Sequence, residues 1–497
     1  MILSKTKPTV FLYLFLGLMA ALFASCASSN PYAKLDSAVI DDDFAAALTV
    51  IDESLAEGGE PIYTEDNSIS LLLDKGVISH YAALKGQSIE GKGPVDFRSS
   101  SENLAEAETK IEEAASGNTA QSILTFIAND NSKDYPGEAY EDIYLTIFNA
   151  LNYYQQGEID NAIALLRSAN EKITAYSDAA GKSLDVPADS GDAGEGDDGA
   201  LAAAIGQVRG GVTASFDTVL TGAYDTLGAS KDPVEFSNSA LADYLAALAF
   251  RAKGDEGSAR VSLDNLSKAY ADSPGVYYTP VPASVAEELS VPAGKARLNF
   301  IAFAGAFPVK AQAEIPASLP SALFPNVGAS GPVTLLVPRM VNRTIPADRV
   351  KFDISIENGP AFQLELLEDM GAVVKGVFRN KLPGTLFKTF LRVTAKYIAV
   401  EAAVLVAEQK ASNDFAKAAA KVAAMGAGKA AIDATEGADT RMSRYFPCYA
   451  YAGGVTLDPG TYTITVTCSN GYSVKKENFE VKAGGLNLVE VVSVNRE

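Results

Sequence analysis

Apolar residues recur at intervals of three and four positions from Leu35 to about Tyr270, which is the period of an amphipathic α-helix. The same part of the chain is rich in Ala, Leu and Glu, and these residues favour helix. Two segments, 138–176 and 239–270, each contain two helical runs separated by a short polar turn with a glycine. We therefore predict pairs of helices joined by tight turns over the first half of the chain.

The two helical pairs carry the same residue types at matching distances from their turn glycines, Gly157 and Gly254. In both, alanine stands seven positions before and five positions after the glycine, and an aromatic residue stands four positions before it. This spacing resembles the tetratricopeptide repeat, in which small and bulky residues let antiparallel helices stack closely. The resemblance implies a solenoid of helix pairs over 35–272, interrupted by an acidic, Gly-rich insertion at 183–200 that cannot join a core.

The first helix of each pair in such a solenoid lines a concave surface. Exposed tyrosines on that surface would be suited to contact a protein partner, because they offer a large area at a small cost in side-chain entropy. The same pattern also fits tyrosines that pack beneath neighbouring elements, and the sequence leaves both interpretations open. The predicted groove consists of Tyr144, Ile147, Leu151, Tyr154, Tyr244, Leu248 and Arg251.

The pattern changes after Tyr270 to short apolar runs separated by prolines, which indicates a domain boundary at about residue 273. Alternating or strand-length runs then predict β-strands, and the last three runs, separated by Gly-containing turns, predict an antiparallel meander. The predicted strands are 297–303, 333–337, 351–356, 461–467, 472–481 and 486–494.

Two further segments, 386–408 and 413–434, have helical patterns, and the second is so rich in Ala and Gly that it should pack closely against a neighbouring element. The predicted fold is therefore an α+β multidomain protein. A tetratricopeptide-like α-solenoid is followed by a β-rich, sandwich-like domain over 273–497, with a helical insertion at about 384–435.

The N-terminus has the features of a signal peptide, since Lys5 and Lys7 precede an apolar run that ends in small residues before Cys26. The run is about 14 residues long, whereas a membrane-spanning helix needs about 20. The block 22–26 resembles a bacterial lipobox, although Phe23 replaces the usual small aliphatic residue. We predict removal of residues 1–25, lipidation of Cys26 and a flexible tether over 26–34; the alternative is an ordinary secretory signal.

Composition excludes several classes of function. The chain has 41 Lys and Arg against 62 Asp and Glu, for a net charge of -21, so it should repel nucleic acids. One histidine and three cysteines leave too few ligands for a zinc, haem or iron-sulfur site, and we predict neither a metal nor another cofactor. His80 has no nucleophile pattern nearby, and a packed or surface role is favoured over catalysis.

Cys448 and Cys468 would lie in an oxidising compartment if the chain is exported, where a disulfide is permitted. Two unpaired, partly buried thiols are the alternative, because sequence cannot test the geometry that a bridge requires.

The lipobox, the segments 134–138 and 150–153, and the sequences around Asp439 and Pro459 together resemble an uncharacterised family of bacterial envelope lipoproteins. Members of that family have tetratricopeptide-like repeats and a C-terminal β-rich region. Ala27 follows the cysteine, and by resemblance to lipoprotein sorting in two-membrane bacteria the absence of Asp there favours a lipid-anchored protein of the outer membrane that faces the periplasm. Exposure at the cell surface is the alternative. Some members are thought to be associated with activators of peptidoglycan synthases, but the resemblance supplies no catalytic residues.

We therefore expect a non-enzymatic envelope scaffold that binds other envelope proteins, with a role in cell-wall or outer-membrane biogenesis. A lipoprotein that binds glycan or peptidoglycan through its C-terminal β domain is the alternative, and a hydrolase is the least favoured hypothesis.

Lipidation of Cys26 can be tested by metabolic labelling with radioactive palmitate. We expect Cys26→Ala to abolish the label, because the thiol is the acylated group, while Cys468→Ala keeps it. A labelled Cys26→Ala protein would contradict the lipobox interpretation.

Overall fold

The computed structural model describes residues 30–116, 134–180, 213–228, 234–319 and 332–494. Cys26 and the acidic insertion at 183–200 lie outside these ranges. Within them the chain is a mixed α+β protein, as predicted. Its helices are α1 Ala33–Ile40, α2 Phe44–Leu55, α3 Ser68–Leu84, α4 Phe97–Ser116, α5 Ala139–Gln155, α6 Ile159–Ala180, α7 Thr213–Leu227, α8 Ala240–Ala252, α9 Glu256–Asp272, α10 Met370–Lys410 and α11 Asp414–Thr435.

The predicted turns between paired helices are confirmed at both glycines. Gly157, between α5 and α6, has φ of 80°, and Gly254, between α8 and α9, has φ of 75°. Only glycine adopts this left-handed conformation without strain, so each glycine ends one helix and allows the next to fold back. The side chain of Asp255 then accepts a hydrogen bond from the Ser258 backbone N–H and caps α9.

The strands form two four-stranded sheets and two small hairpins. The central sheet has the order β12-β3-β9-β8, and the outer sheet has the order β11-β10-β6-β7. The strands are β1 Ser88–Ile89, β2 Gly93–Pro94, β3 Ala296–Ala304, β4 Val309–Ser318, β5 Pro332–Val341, β6 Phe352–Ile356, β7 Ala361–Gln363, β8 Glu365–Asp369, β9 Tyr449–Leu457, β10 Gly460–Cys468, β11 Ser473–Val481 and β12 Asn487–Ser493.

Strand β3 shows how the layers are arranged, because all nine of its residues are buried. Phe300 and its alternate neighbours pack against the outer sheet, in a cluster that includes Ile354 and Ile464. Ile301 and Phe303 point the other way and pack against helices, with the Phe303 and Phe148 rings 5.0 Å apart. The central sheet is therefore covered on one face by the outer sheet and on the other by a helical layer formed by α1–α6, α8 and α9.

Two sequence predictions about the β-rich half need correction. The last strand, β12, does not continue the meander: β10 and β11 pair antiparallel, but β12 pairs parallel with β3 in the central sheet. All seven residues of β12 are buried, so this strand needs cover on both faces, which only the central sheet has. In addition, the first inserted helix begins at Met370, well before residue 384, where the Asp369 side chain caps it by accepting from the Ala372 N–H.

The close packing predicted for the Ala- and Gly-rich helix is confirmed. Helix α11 lies against α10, and a Cβ on Gly428 would come within 2.5 Å of Val400 Cγ2. A third cluster joins the N-terminal half of α10 to α7 and the β4–β5 hairpin, through residues such as Phe390 and Leu335.

The segment 436–448, which connects α11 to β9 and is called here the connecting segment, is bound by buried carboxylates of the helical layer. Asp74 Oδ1 accepts from Ser443 Oγ and from the Arg444 backbone N–H, both at 2.7 Å, and Tyr63 donates to Oδ2 at 2.7 Å. Burial raises the pKa of Asp74, and these hydrogen bonds oppose the rise. Asp74 thus fixes the path of the connecting segment over the helices.

Two neighbouring glutamates have opposite shifts. Burial alone would raise the pKa of Glu138, but Lys310 and Lys381 lower it to about 2. Burial, reinforced by the Glu138 charge, raises the pKa of Glu141 to about 7. Glu141 accepts from Tyr135 Oη at 2.7 Å and from the Ser443 N–H at 2.5 Å, so it too holds the connecting segment.

Replacing Asp74 tests this attachment. We expect Asp74→Ala to lower the free energy of unfolding by roughly 3 kcal/mol, because the Tyr63, Ser443 and Arg444 donors stay buried without an acceptor. Urea denaturation measures the change. Glu60→Ala, at an exposed position, should have almost no effect; equal effects of the two variants would contradict the role of Asp74.

The dependence of stability on pH tests the Glu141 environment. Its raised pKa means that the folded state holds a proton that the unfolded state releases, so this contribution to stability is lost as the pH rises from about 4.5 to about 7. The free energy of unfolding of the natural chain, minus that of Glu141→Gln, should therefore fall across this range. For Glu138→Gln the difference should have the opposite slope and fall as the pH drops from 4.5 toward about 2. A difference that does not vary with pH would contradict both assignments.

Candidate functional site

The residues of the predicted groove lie inside the molecule, between the helical layer and the central sheet. Five of them, Tyr144, Ile147, Leu151, Tyr244 and Leu248, are at most 2% exposed. The interpretation as a partner-accessible groove is therefore wrong for these residues, and packing beneath neighbouring elements is confirmed. The physical reason is that the central sheet is apolar on both faces, so its second face covers the surface that a partner would need.

Tyr144 shows how this surface is occupied by the chain itself. Its hydroxyl donates to Glu368 Oε1 of β8 at 2.7 Å. Glu368 Oε2 accepts from Ser239 Oγ at 2.9 Å and from the Leu241 N–H and the Tyr277 hydroxyl at 3.0 Å each. Burial raises the pKa of Glu368. Four donors from the same chain surround this carboxyl group, so it joins the sheet to the helices and leaves no position for a ligand.

Arg251, the charged residue of the predicted groove, belongs to a second polar cluster. It donates to Asn299 Oδ1 at 2.7 Å and is also paired with Glu288. Asn299 Nδ2 donates to the Tyr244 hydroxyl at 3.0 Å, and Arg297 Nε lies 3.2 Å from Glu288. The guanidinium of Arg251 is thus held by carboxylate and amide groups of its own chain.

His80 is packed, which confirms the favoured interpretation. Its Nδ1 lies 2.8 Å from Asn152 Oδ1 and its Nε2 lies 2.6 Å from Glu490 Oε1, and the side chain is fully buried. Burial by itself would lower the pKa of His80, but the Glu490 carboxylate raises it above the ordinary value. Both ring nitrogens are engaged, so His80 connects α3 to β12.

Cys448 and Cys468 are both buried free thiols, and no disulfide joins them. Burial raises the pKa of Cys448 to about 12, so its thiol stays protonated. Both side chains lie in the cluster between the two sheets, where they pack as small apolar groups.

An accessible cleft of about 320 Å³ opens where the free edges of the two sheets approach each other, and we call it the edge cleft. Its walls are the end of α3 with Lys85 and Gln87, the start of β11 from Tyr472 to Lys476, and β12 from Glu490 to Val492. Within the described chain, β11 pairs with β10 alone and β12 with β3 alone, so both strands present an unpaired edge here.

The backbone of β12 faces this cleft at two positions. The Leu488 N–H donates to the Tyr154 hydroxyl at 3.2 Å, so the backbone groups of Leu488 point away from β3. Backbone groups of successive strand residues point to opposite edges, which gives Glu490 and Val492 the same direction as Leu488. Their N–H and C=O groups therefore lie on the side of β12 that lines the edge cleft, although both residues are at most 2% exposed.

Cationic side chains dominate the charged groups of the edge cleft. Lys85 Nζ lies 2.9 Å from Asp42 Oδ2 and 4.1 Å from the centre of the Tyr472 ring. Lys475 pairs with Glu477, and Lys476 forms no ion pair with any described residue. The Glu490 carboxylate is directed inward, toward His80 and Gln155. Two of the three ammonium groups are therefore paired with carboxylates, and Lys476 is the one that favours an anionic ligand, on a chain with a net charge of -21.

Sequence reasoning missed the edge cleft. The alternating run in β11 and the adjacent Lys475 and Lys476 are visible in the sequence. However, lysines on an alternating strand are equally typical of an ordinary edge strand that its charges protect from pairing with other chains. The cleft forms only because β12 crosses to the central sheet, and no local pattern indicates that crossing.

Across the described ranges, no three His, Cys, Asp or Glu side chains form a group that could hold a metal ion. None of the helices in those ranges is both long and apolar enough to span a bilayer. Comparison of the chain with protein-family models, with curated proteins and with solved structures finds no match.

Proposed function

We propose that this protein is a non-enzymatic, lipid-anchored envelope scaffold that binds an acidic, extended segment of a partner protein in the edge cleft. The observation that carries the proposal is the combination of unpaired strand edges with ammonium groups that outnumber the accessible carboxylates. Strand addition uses main-chain hydrogen bonds for affinity and neighbouring side chains for specificity. The lipid anchor and the envelope location rest on the signal sequence and Cys26 alone.

We also propose that the helical layer consists of degenerate tetratricopeptide-like repeats. The matched residues around Gly157 and Gly254 support this, as does the packing of α6 against α8, which brings consecutive helix pairs together. In this proposal the inner face of the repeats holds the chain's own central sheet and connecting segment, in place of a foreign peptide.

A peptide is favoured over a glycan as the ligand. Sugar-binding sites use the open face of an aromatic ring, whereas the ring of Tyr472 in the edge cleft is covered by the Lys85 ammonium at 4.1 Å. The backbone groups of Glu490 and Val492 instead match the repeat of an extended peptide.

Fluorescence anisotropy with two labelled hexapeptides of alternating sequence, Val-Glu repeats and Val-Lys repeats, tests the proposed ligand class. We expect the acidic peptide to bind, the basic peptide to bind at least about tenfold more weakly, and added salt to weaken the acidic peptide's binding. Lys476→Glu should reduce the affinity for the acidic peptide by about fivefold or more, because it reverses an accessible charge in the cleft.

Lys482→Glu is the matched control, because Lys482 is exposed near the end of β11 and pairs with Glu480 outside the cleft. Its effect on binding should be small. Equal binding of both peptides, or equal loss in both lysine variants, would refute the edge cleft as an acidic-peptide site. Sedimentation of the chain with purified peptidoglycan that persists in Lys476→Glu would favour the wall-binding alternative.

A further inference from the structure

Helix α11 is held by one neighbour. Among its 22 residues only Ile432 is buried, and it packs in a small cluster with Val400 and Val404 of α10. No other described element makes more than marginal contact with α11. The face of α11 that points away from α10 therefore has no partner among the described residues.

That outer face carries large apolar side chains in full contact with solvent. Phe415 is 85% exposed and Val422 is 71% exposed. Val422 stands seven positions after Phe415. Ala419, Gly426 and Ala430 lie on the same face, at spacings of four, eleven and fifteen from Phe415, and all are exposed. Two large apolar groups on one exposed helical face indicate an interaction surface.

The face is complementary to itself. If a second α11 lies antiparallel with the two-fold axis between Val422 and Ala423, then Phe415 of each copy faces Ala430 of the other, and Ala419 faces Gly426. Each large ring thus meets a position without a large side chain, and the two Val422 side chains meet at the axis. A two-fold interface requires this kind of reciprocal match.

The charged residues of α11 lie mainly outside this face. Lys429 borders it and forms no ion pair with any described residue, whereas Asp414 precedes Ile432 by five helical turns and so lies on the side of α11 that is turned to α10. Asp433 lies on the outer face itself, which disfavours insertion of this face into a lipid surface.

We infer that α11 mediates a symmetric, antiparallel dimer of this chain, centred on Val422. The occupant of the exposed face is a second copy of the same helix. This inference is independent of the edge cleft, which lies in a different part of the fold.

Analytical ultracentrifugation of the chain from residue 27 onward, which contains every described residue, tests the oligomeric state. We expect a concentration-dependent dimer that Val422→Glu converts to monomer, because two carboxylates would meet at the axis. Val261→Glu is the matched control: Val261 is 59% exposed on α9, away from the interface, and this variant should dimerise like the natural chain. A natural chain that stays monomeric at high concentration, or a dimer that survives Val422→Glu, would overturn the inference.

Cysteine crosslinking of the full chain in isolated envelopes tests the register. Val422→Cys should give an oxidised dimer on a non-reducing gel, whereas two Cys residues at position 415 would be about 22 Å apart along the helices and should not crosslink. The double variant Phe415→Cys, Ala430→Cys should crosslink again. Crosslinking at 415 alone, or none at 422, would exclude this arrangement. Flotation of the non-lipidated chain with phosphatidylglycerol vesicles that Val422→Glu abolishes would assign the face to a lipid surface and refute the dimer.

Discussion

The fold depends on a sheet that is apolar on both faces. Strand β3 alternates between two clusters, with Phe300 toward the outer sheet and Phe303 toward the helices, and the parallel strand β12 does the same with Val489 and Val492. Burial of one such side chain stabilises the folded state by about 2 kcal/mol, so neither face can remain in water. The helical layer therefore cannot form a separate solenoid with an open inner surface.

Polar groups give this helix–sheet interface its specificity. An apolar surface alone would permit several registers of the sheet against the helices. Asp74 and Glu141 of the helical layer accept hydrogen bonds from Ser443 of the connecting segment, and Glu368 of β8 accepts one from Tyr144 of the helical layer. A buried carboxyl that loses these donors is costly, so only one register satisfies them all. His80 adds a similar link to β12 through Glu490. These contacts join residues hundreds of positions apart in the chain.

Because the central sheet covers the inner face of the helical layer, a binding site for a partner must lie on another surface. The edge cleft exists because β12 ends one sheet next to β11, which ends the other, while α3 supplies the third wall. The outer face of α11 exists because the α10–α11 hairpin is stabilised by its own small cluster and extends beyond the main core. Both surfaces therefore result from the order of the strands and from the packing of the helices that form the core.

The sequence by itself determined the local elements. Helical periodicity and the glycines at 157 and 254 predicted the paired helices, alternation predicted most strands of the outer sheet, and the Ala- and Gly-rich composition predicted the close approach of α11 to α10. These features depend on neighbours within a few residues, so they can be read along the chain. Strands β1, β2, β4, β7, β8 and β9 were not predicted. Strands β1, β2 and β7 have at most three residues, β9 contains two glycines and β4 a proline.

Only the tertiary structure decided what covers each apolar surface. Tyr144 and Leu248 show the periodicity of a lining face whether a partner or the same chain packs on them, and the strand that would cover them lies far away in sequence. The edge cleft depends in the same way on the order of the strands in the sheets. The same order decides that Cys448 and Cys468 stay free, buried thiols. Periodicity in the sequence shows that one face of a helix or strand is apolar. Which element covers that face is set by packing between residues far apart in the chain, so no local pattern predicts it.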